Sequence, residues 1–305
     1  MEDKLSEVDI SENKNGENVG IGGLLDPALE RCRKTAKFWL PLVFVPFIFQ
    51  WLGAVGLLFE AEAEEINPRL VLSLLSSLIG DVLSFLLIPT LILIISGRAS
   101  GTFVENIKAG SKKIGAMVWT GILTGLVVLG GAVLFVVPGI LVAIRMNLAS
   151  TISVLEDKRG LPAMAKSWNI IYGRTGDYFL RMLVGFVFAL GISATAAMVG
   201  EVLGYWSEVF KVLLYFVVNS LLVAPFMTSY VYGLYESYGK TAPEDYTEPK
   251  RLRWLLAFGI LITVAGIIFA GIMLGWFMSR VIEGLPPSSV ANFLHIWRGG
   301  VLSNF

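Results

Sequence analysis

GGAVLFVVPGILVAIRMNLASTISVLEDKRGLPAMAKSWNIIYGRTGDY, residues 130–178, decides how the chain is built. An apolar run ends at Pro138-Gly139, and a second one, carrying a single cation at Arg145, follows at once and stops at Glu156. Long apolar runs joined by two turn-forming residues predict two membrane spans in a tight hairpin, because only a helix satisfies its own backbone inside a bilayer. Pro138 lacks an amide hydrogen and Gly139 admits positive φ, so the pair predicts a reversal with almost no loop. Behind the hairpin, Leu161, Met164, Trp168 and Ile171 recur at helical spacing. They predict an amphipathic helix on the membrane surface with Trp168 at head-group level.

Working outward, the same apolar character covers most of the chain. Of its 305 residues, 55% are hydrophobic and 16% charged, against about 25% charged in soluble domains. Mean hydropathy is +0.71. The formal net charge is zero, which gives no field to attract nucleic acid. One cysteine, Cys32, excludes an internal disulfide, and one histidine, His295, excludes a multi-histidine metal site. No cofactor is expected.

Seven spans are expected, at about 38–59, 70–96, 114–137, 140–155, 178–199, 209–235 and 254–277, and the fold class is an all-α polytopic bundle. Residues 1–23 are polar and acidic, which predicts a disordered cytoplasmic tail. Residues 24–238 form the six-span membrane domain. Residues 239–305 add a linker, the seventh span and an external tail. Asp26-Pro27 marks the start of order, as a cap followed by Pro in the first turn. Leu25, Ala28, Leu29, Cys32 and Trp39 share one face of a basic helix that runs into span one. Gly121 and Gly125 in span three, and Gly271 and Gly275 in span seven, stand at the GxxxG spacing that lets helices approach closely, so self-association through them is expected.

Lys and Arg crowd before span one and between spans two and three, four and five, and six and seven, whereas the alternate connections hold a single Arg. By the positive-inside rule this predicts a cell-membrane protein with its amino terminus in the cytoplasm and its carboxyl terminus outside. A basic or amphipathic stretch precedes each of the first three hairpins, at 24–37, 103–113 and 161–174. The pattern reads as three copies of one helix-plus-hairpin unit, with the seventh span as an addition.

Asp81 and Arg145 are charges within spans. About 16 Å and 9 Å below the outer end by helical rise, they are close enough in depth to predict an ion pair. A lone charge in hydrocarbon costs about 2.5 kcal/mol or more, so each needs a partner.

Pro138, Gly139, Arg145, Glu156, Ala163, Ser167, Trp168 and Gly173 follow one another in an order that resembles the glycerophosphoryl diester phosphodiesterase membrane-domain family. The resemblance covers residues 130–183. It departs from the pattern at Asn169, where such proteins often carry Glu. It implies an integral membrane module. The hydrolase domain carried by some members, a barrel of about 250 residues, is expected to be absent, and no nucleophile-elbow, zincin or Walker sequence occurs.

Three function classes fit the sequence. The favoured one is a non-catalytic module that organises lipids or partner proteins. The second is a small solute or lipid transporter using Asp81, Arg145 and Asn219. The third is a membrane enzyme acting on lipid head groups through Glu156, Asp157, Lys158 and Arg159.

Overall fold

The computed structural model describes residues 23–60, 68–99, 101–134, 136–203, 208–239 and 250–284. The expected tails, and the connections at 61–67, 204–207 and 240–249, lie outside the described residues. Among the described residues the fold is helical throughout, with no strand. The helices are α1 (Leu25–Glu60), α2 (Pro68–Ile95), α3 (Phe103–Leu134), α4 (Val136–Met146), α5 (Ala149–Leu155), α6 (Leu161–Ile171), α7 (Thr175–Leu203), α8 (Glu208–Val218), α9 (Ala224–Gly239) and α10 (Lys250–Gly284). A π-helical turn, Asn219–Val223, joins α8 to α9.

Seven segments are long and apolar enough to cross a membrane, and the chain is a multi-pass membrane protein. Span four is α4 with α5, and span six is α8 with α9. The basic stretches at 24–37 and 103–113 are not separate helices but the first turns of α1 and α3. Bulky apolar side chains such as Leu72, Val202, Ile267 and Leu274 stand on outer faces. In water such a surface would be an aggregation liability, whereas hydrocarbon is its natural solvent.

The packed interior has three clusters. One joins Tyr178, Tyr230, Leu148 and Ile171. A second joins Trp39 and Leu42 of α1 to Leu91, Ile94 and Ile95 of α2. The third joins Val127, Met146, Met164, Trp168 and Leu252. Trp168 therefore packs among α3, α4 and α10 at 8% exposure, which corrects the expectation that its face meets lipid. Ala163, Met164, Ala165, Ser167, Ile170 and Ile171 of α6 are buried with it. An amphipathic stripe states only that one face avoids water; whether lipid or protein covers it depends on the neighbours.

Pro138 and Gly139 are not the turn. Both lie inside α4, where Pro in a first turn lacks only an amide hydrogen that would go unpaired. Gly139 has no positive φ. Its missing side chain serves packing: a Cβ there would come within 2.5 Å of Ala132 Cα and 2.7 Å of its Cβ, so α3 and α4 can close only on glycine. The GxxxG pairs are likewise not crossings within the chain. A Cβ at Gly121, Gly125, Gly271 or Gly275 meets nothing within 4 Å. The close crossing of α3 and α10 runs instead through Gly130 and Gly259, where a Cβ on Gly130 would stand 2.6 Å from Leu255 O and 2.9 Å from Gly259 N.

Candidate functional site

A groove opens between α1, α2 and the broken span six. It encloses about 520 Å³, within the range of ligand-sized cavities, about 300–1,000 Å³. Leu42, Val43 and Pro46 of α1, Phe85 and Ile88 of α2, and Tyr215 and Phe216 of α8 make its apolar walls. Its polar groups are Gln50, Ser84, Asn219, Ser220 and Thr228.

Local sequence explains each wall. α1 and α2 cross at small residues: a Cβ on Gly53 would stand 2.6 Å from Ser77 N, and one on Gly80 would stand 2.7 Å from Gln50 N. That closeness brings Gln50 Nε2 to 2.9 Å from Asp81 Oδ1 and 3.3 Å from Ser84 Oγ, and Gln50 donates to both. Opposite, Pro225 cannot donate to the helix ladder, and the π turn just before it takes up the irregularity. Inside that turn Asn219 Oδ1 accepts from Ser193 Oγ at 2.8 Å while its amide donates to Tyr215 O at 2.9 Å, tying the break to α7. A second hollow of about 540 Å³ lies between α7 and α8. Its polar side chain is Thr195, whose hydroxyl donates to Gly191 O, so among the described lining side chains none has a donor left to orient a ligand.

The expected ion pair between Asp81 and Arg145 does not form. α2 packs on α1, α3, α5 and α9, whereas α4 packs on α3, α6 and α7, so the two charges face different neighbours. Arg145 is held by aromatic faces: its guanidinium carbon is 4.6 Å from the Trp168 ring centroid and 5.2 Å from that of Tyr172. Its Nε donates to Thr175 Oγ1 at 3.2 Å, and Ser167 Oγ donates to its carbonyl at 2.6 Å. Depth along a helix could be counted from the sequence; which face α6 would cover could not. Of the resemblance residues, Arg145, Ser167 and Trp168 thus form one packed unit. Ala163 is fully buried beside them, and Gly173 supplies the left-handed turn, φ 81°, that ends α6.

Glu156 belongs to a different cluster, at the end shared by the α2–α3 and α5–α6 connections. Both its carboxylate oxygens accept from Lys166 Nζ at 2.6 Å. Tyr235 of α9 donates to it at 2.7 Å, and Lys158 lies at 3.2 Å. Burial opposes its charge, but the bonds from Lys166 and Tyr235 and the nearby ammonium groups outweigh that and hold its carboxyl below the ordinary glutamate range. Asp157, at a positive φ of 58°, pairs with Lys113 of α3, and that bond lowers its carboxyl too. Arg98, just past α2, donates to the Leu155 carbonyl. Gly160 N donates to Thr120 Oγ1 of α3 at 2.9 Å. The end of α5 and the loop from Glu156 to Gly160 are thus anchored from the α2–α3 connection, α3, α6 and α9. A carboxylate with its lone pairs engaged is a joint, and a poor general base. Sequence spacing found Glu156 but not Tyr235, because nothing in the chain before folding links positions 79 residues apart.

Among the described residues no group of three or more His, Cys, Asp or Glu could hold a metal ion.

A family model described as a domain of unknown function, DUF8558, matches residues 67–241, more than half of the chain. That stretch runs from the start of α2 past the end of α9 and leaves out α1, which forms one wall of the groove. No curated protein and no solved structure matches the chain.

Proposed function

The chain belongs to the DUF8558 family, and from that premise and the groove we propose that the protein is a non-catalytic membrane module that takes a hydrophobic or amphipathic molecule from the bilayer. The carrying observation is the apolar cavity between α1, α2 and the π-broken span six, with its few polar groups at Gln50, Ser84, Asn219 and Ser220. A cavity of that lining inside hydrocarbon is filled by apolar chains, and the polar groups orient what fills it. The engagement of Glu156 by Lys166, Lys158 and Tyr235 weighs against the lipid-head-group enzyme. The resemblance to the glycerophosphoryl diester phosphodiesterase membrane-domain family supports the same non-catalytic reading.

Filling the groove tests it. Ser220→Trp places an indole where the occupant would lie. Native mass spectrometry of protein ejected from phospholipid nanodiscs should show a retained lipid adduct on the wild type, and at least about tenfold less on the variant. Equal adducts on both would end the reading.

A second reading, transport, draws on the same π-helical turn, since such turns inside α-helices are frequent at functional sites. Either way the alternation of basic loops supports a cytoplasmic amino terminus and an external carboxyl terminus in the cell membrane. A reporter active only in the cytoplasm, fused after Phe305, should stay silent; a strong signal would reverse the last span.

A further inference from the structure

We infer that the occupant of the groove carries a positive charge, and that Asp81 receives it; the inference rests on the groove being a binding site. Asp81 stands midway along α2, thirteen residues from Pro68 and fourteen from Ile95. It is therefore roughly 20 Å from either end at 1.5 Å rise per residue. On that helix residues 81, 84, 85 and 88 share a face, and Ser84, Phe85 and Ile88 line the groove. Asp81 thus lies one turn beyond them, at the end of the groove nearer the α1–α2 connection. Gln50, itself a lining residue, holds one carboxylate oxygen through Nε2 at 2.9 Å.

Among the described residues no cation neutralises this carboxylate: no Lys or Arg forms a salt bridge with it, and the bond from Gln50 brings no charge. The sequence shows why. α1 has no cation after Lys37, α2 none between Arg69 and the end of the helix, and the groove-facing part of span six none after Lys211. Lys211 is itself engaged by Glu201 at 2.9 Å and Glu208 at 2.8 Å. Two other charges within spans have internal partners: Arg145 has its aromatic faces, and Arg181 of α7 pairs with Asp177 one turn earlier at 3.2 Å. Asp81 alone of these is left without a charged or cation-binding partner; it is exposed rather than packed away, and it reaches the groove through Gln50. A carboxylate at half-depth beside an apolar groove favours an apolar body bearing a cation, because charge pairing within hydrocarbon is weakly screened. The aromatic rings of Phe85, Tyr215 and Phe216 add faces that favour cations and planar groups. The ligand class is a lipophilic cation, such as a protonated hydrophobic amine.

Two ions of nearly the same shape and opposite charge test this: tetraphenylphosphonium and tetraphenylborate. Binding is measured by equilibrium dialysis on protein in zwitterionic nanodiscs, with empty nanodiscs subtracted. The wild type should bind the phosphonium at least about tenfold more tightly than the borate, a difference of about 1.4 kcal/mol. Asp81→Asn should remove that preference, Asp81→Glu should keep it, and Ser220→Trp should lower binding of both ions. An unchanged phosphonium preference in Asp81→Asn overturns the inference, as does equal binding of both ions by the wild type. In either case, sensitivity of both to Ser220→Trp leaves the groove standing. Binding of neither ion by a folded wild type removes the cation inference, while the lipid adduct experiment still judges the groove.

Discussion

Gly259→Val is expected to destabilise the protein by about 3 kcal/mol, near the upper end for overpacking a tight contact. A side chain on Gly259 would run into the Leu126 backbone of α3, whose carbonyl carbon lies 2.6 Å from the Cβ position. Backbone cannot rotate out of the way as a side chain can, so the helices must separate. Separation would pull Leu252, now 1% exposed, out of the cluster that holds Met146, Met164 and Trp168. The control lies on the same helix. Gly271→Val adds the same side chain where nothing stands within 4 Å, and should be neutral within about 0.5 kcal/mol. Unfolding of both variants in one detergent, followed by circular dichroism, decides the matter. Equal stability of the two would mean that α10 is only loosely attached, as its place outside the matched family region would allow.

The second large effect belongs to Glu156. Glu156→Ala should cost about 2 kcal/mol, less than the 3–5 kcal/mol for breaking a fully buried pair, because Glu156 and Lys166 keep 16% and 22% side-chain exposure. The loss has three parts: Lys166 and Lys158 face each other without their common anion, Tyr235 loses its acceptor, and the α5–α6 loop loses its tie to α9. Glu156→Gln should cost about half as much, since an amide oxygen still accepts from Tyr235. The pH dependence follows from the lowered carboxyl. A group whose folded value is depressed contributes stability that is present above its ordinary value, 4.5 here, and lost as pH falls through the folded value. The gap between wild type and Glu156→Gln should therefore be constant at neutral pH and close only in acid below 4.5. A gap that closed instead as pH rose would contradict the assignment.

Membrane class, span number and the approximate limits of each span were legible in the residue order. Hydrocarbon demands about 20 apolar residues and internal backbone pairing, and both demands are local. Residues 130–178 stood out for the same reason: polar residues at fixed spacing within apolar runs are visible one by one. What each of them does was not. Gly139 suggested positive φ, yet it serves a close approach to Ala132. Trp168 suggested lipid, yet it lies over Arg145. Asp81 and Arg145 suggested each other, yet Gln50 meets the first and the Trp168 and Tyr172 rings meet the second. In each case the local pattern fixes that a group needs a partner, and only tertiary packing chooses which one, because choice depends on the azimuth of one helix about another. Periodicity determines azimuth within a helix and is silent about azimuth between helices. The groove is the extreme case. Its walls come from positions near 46, 85 and 216, and only the crossing of α1 with α2 and the packing of span six, with its π turn at Asn219–Val223, bring them round one space.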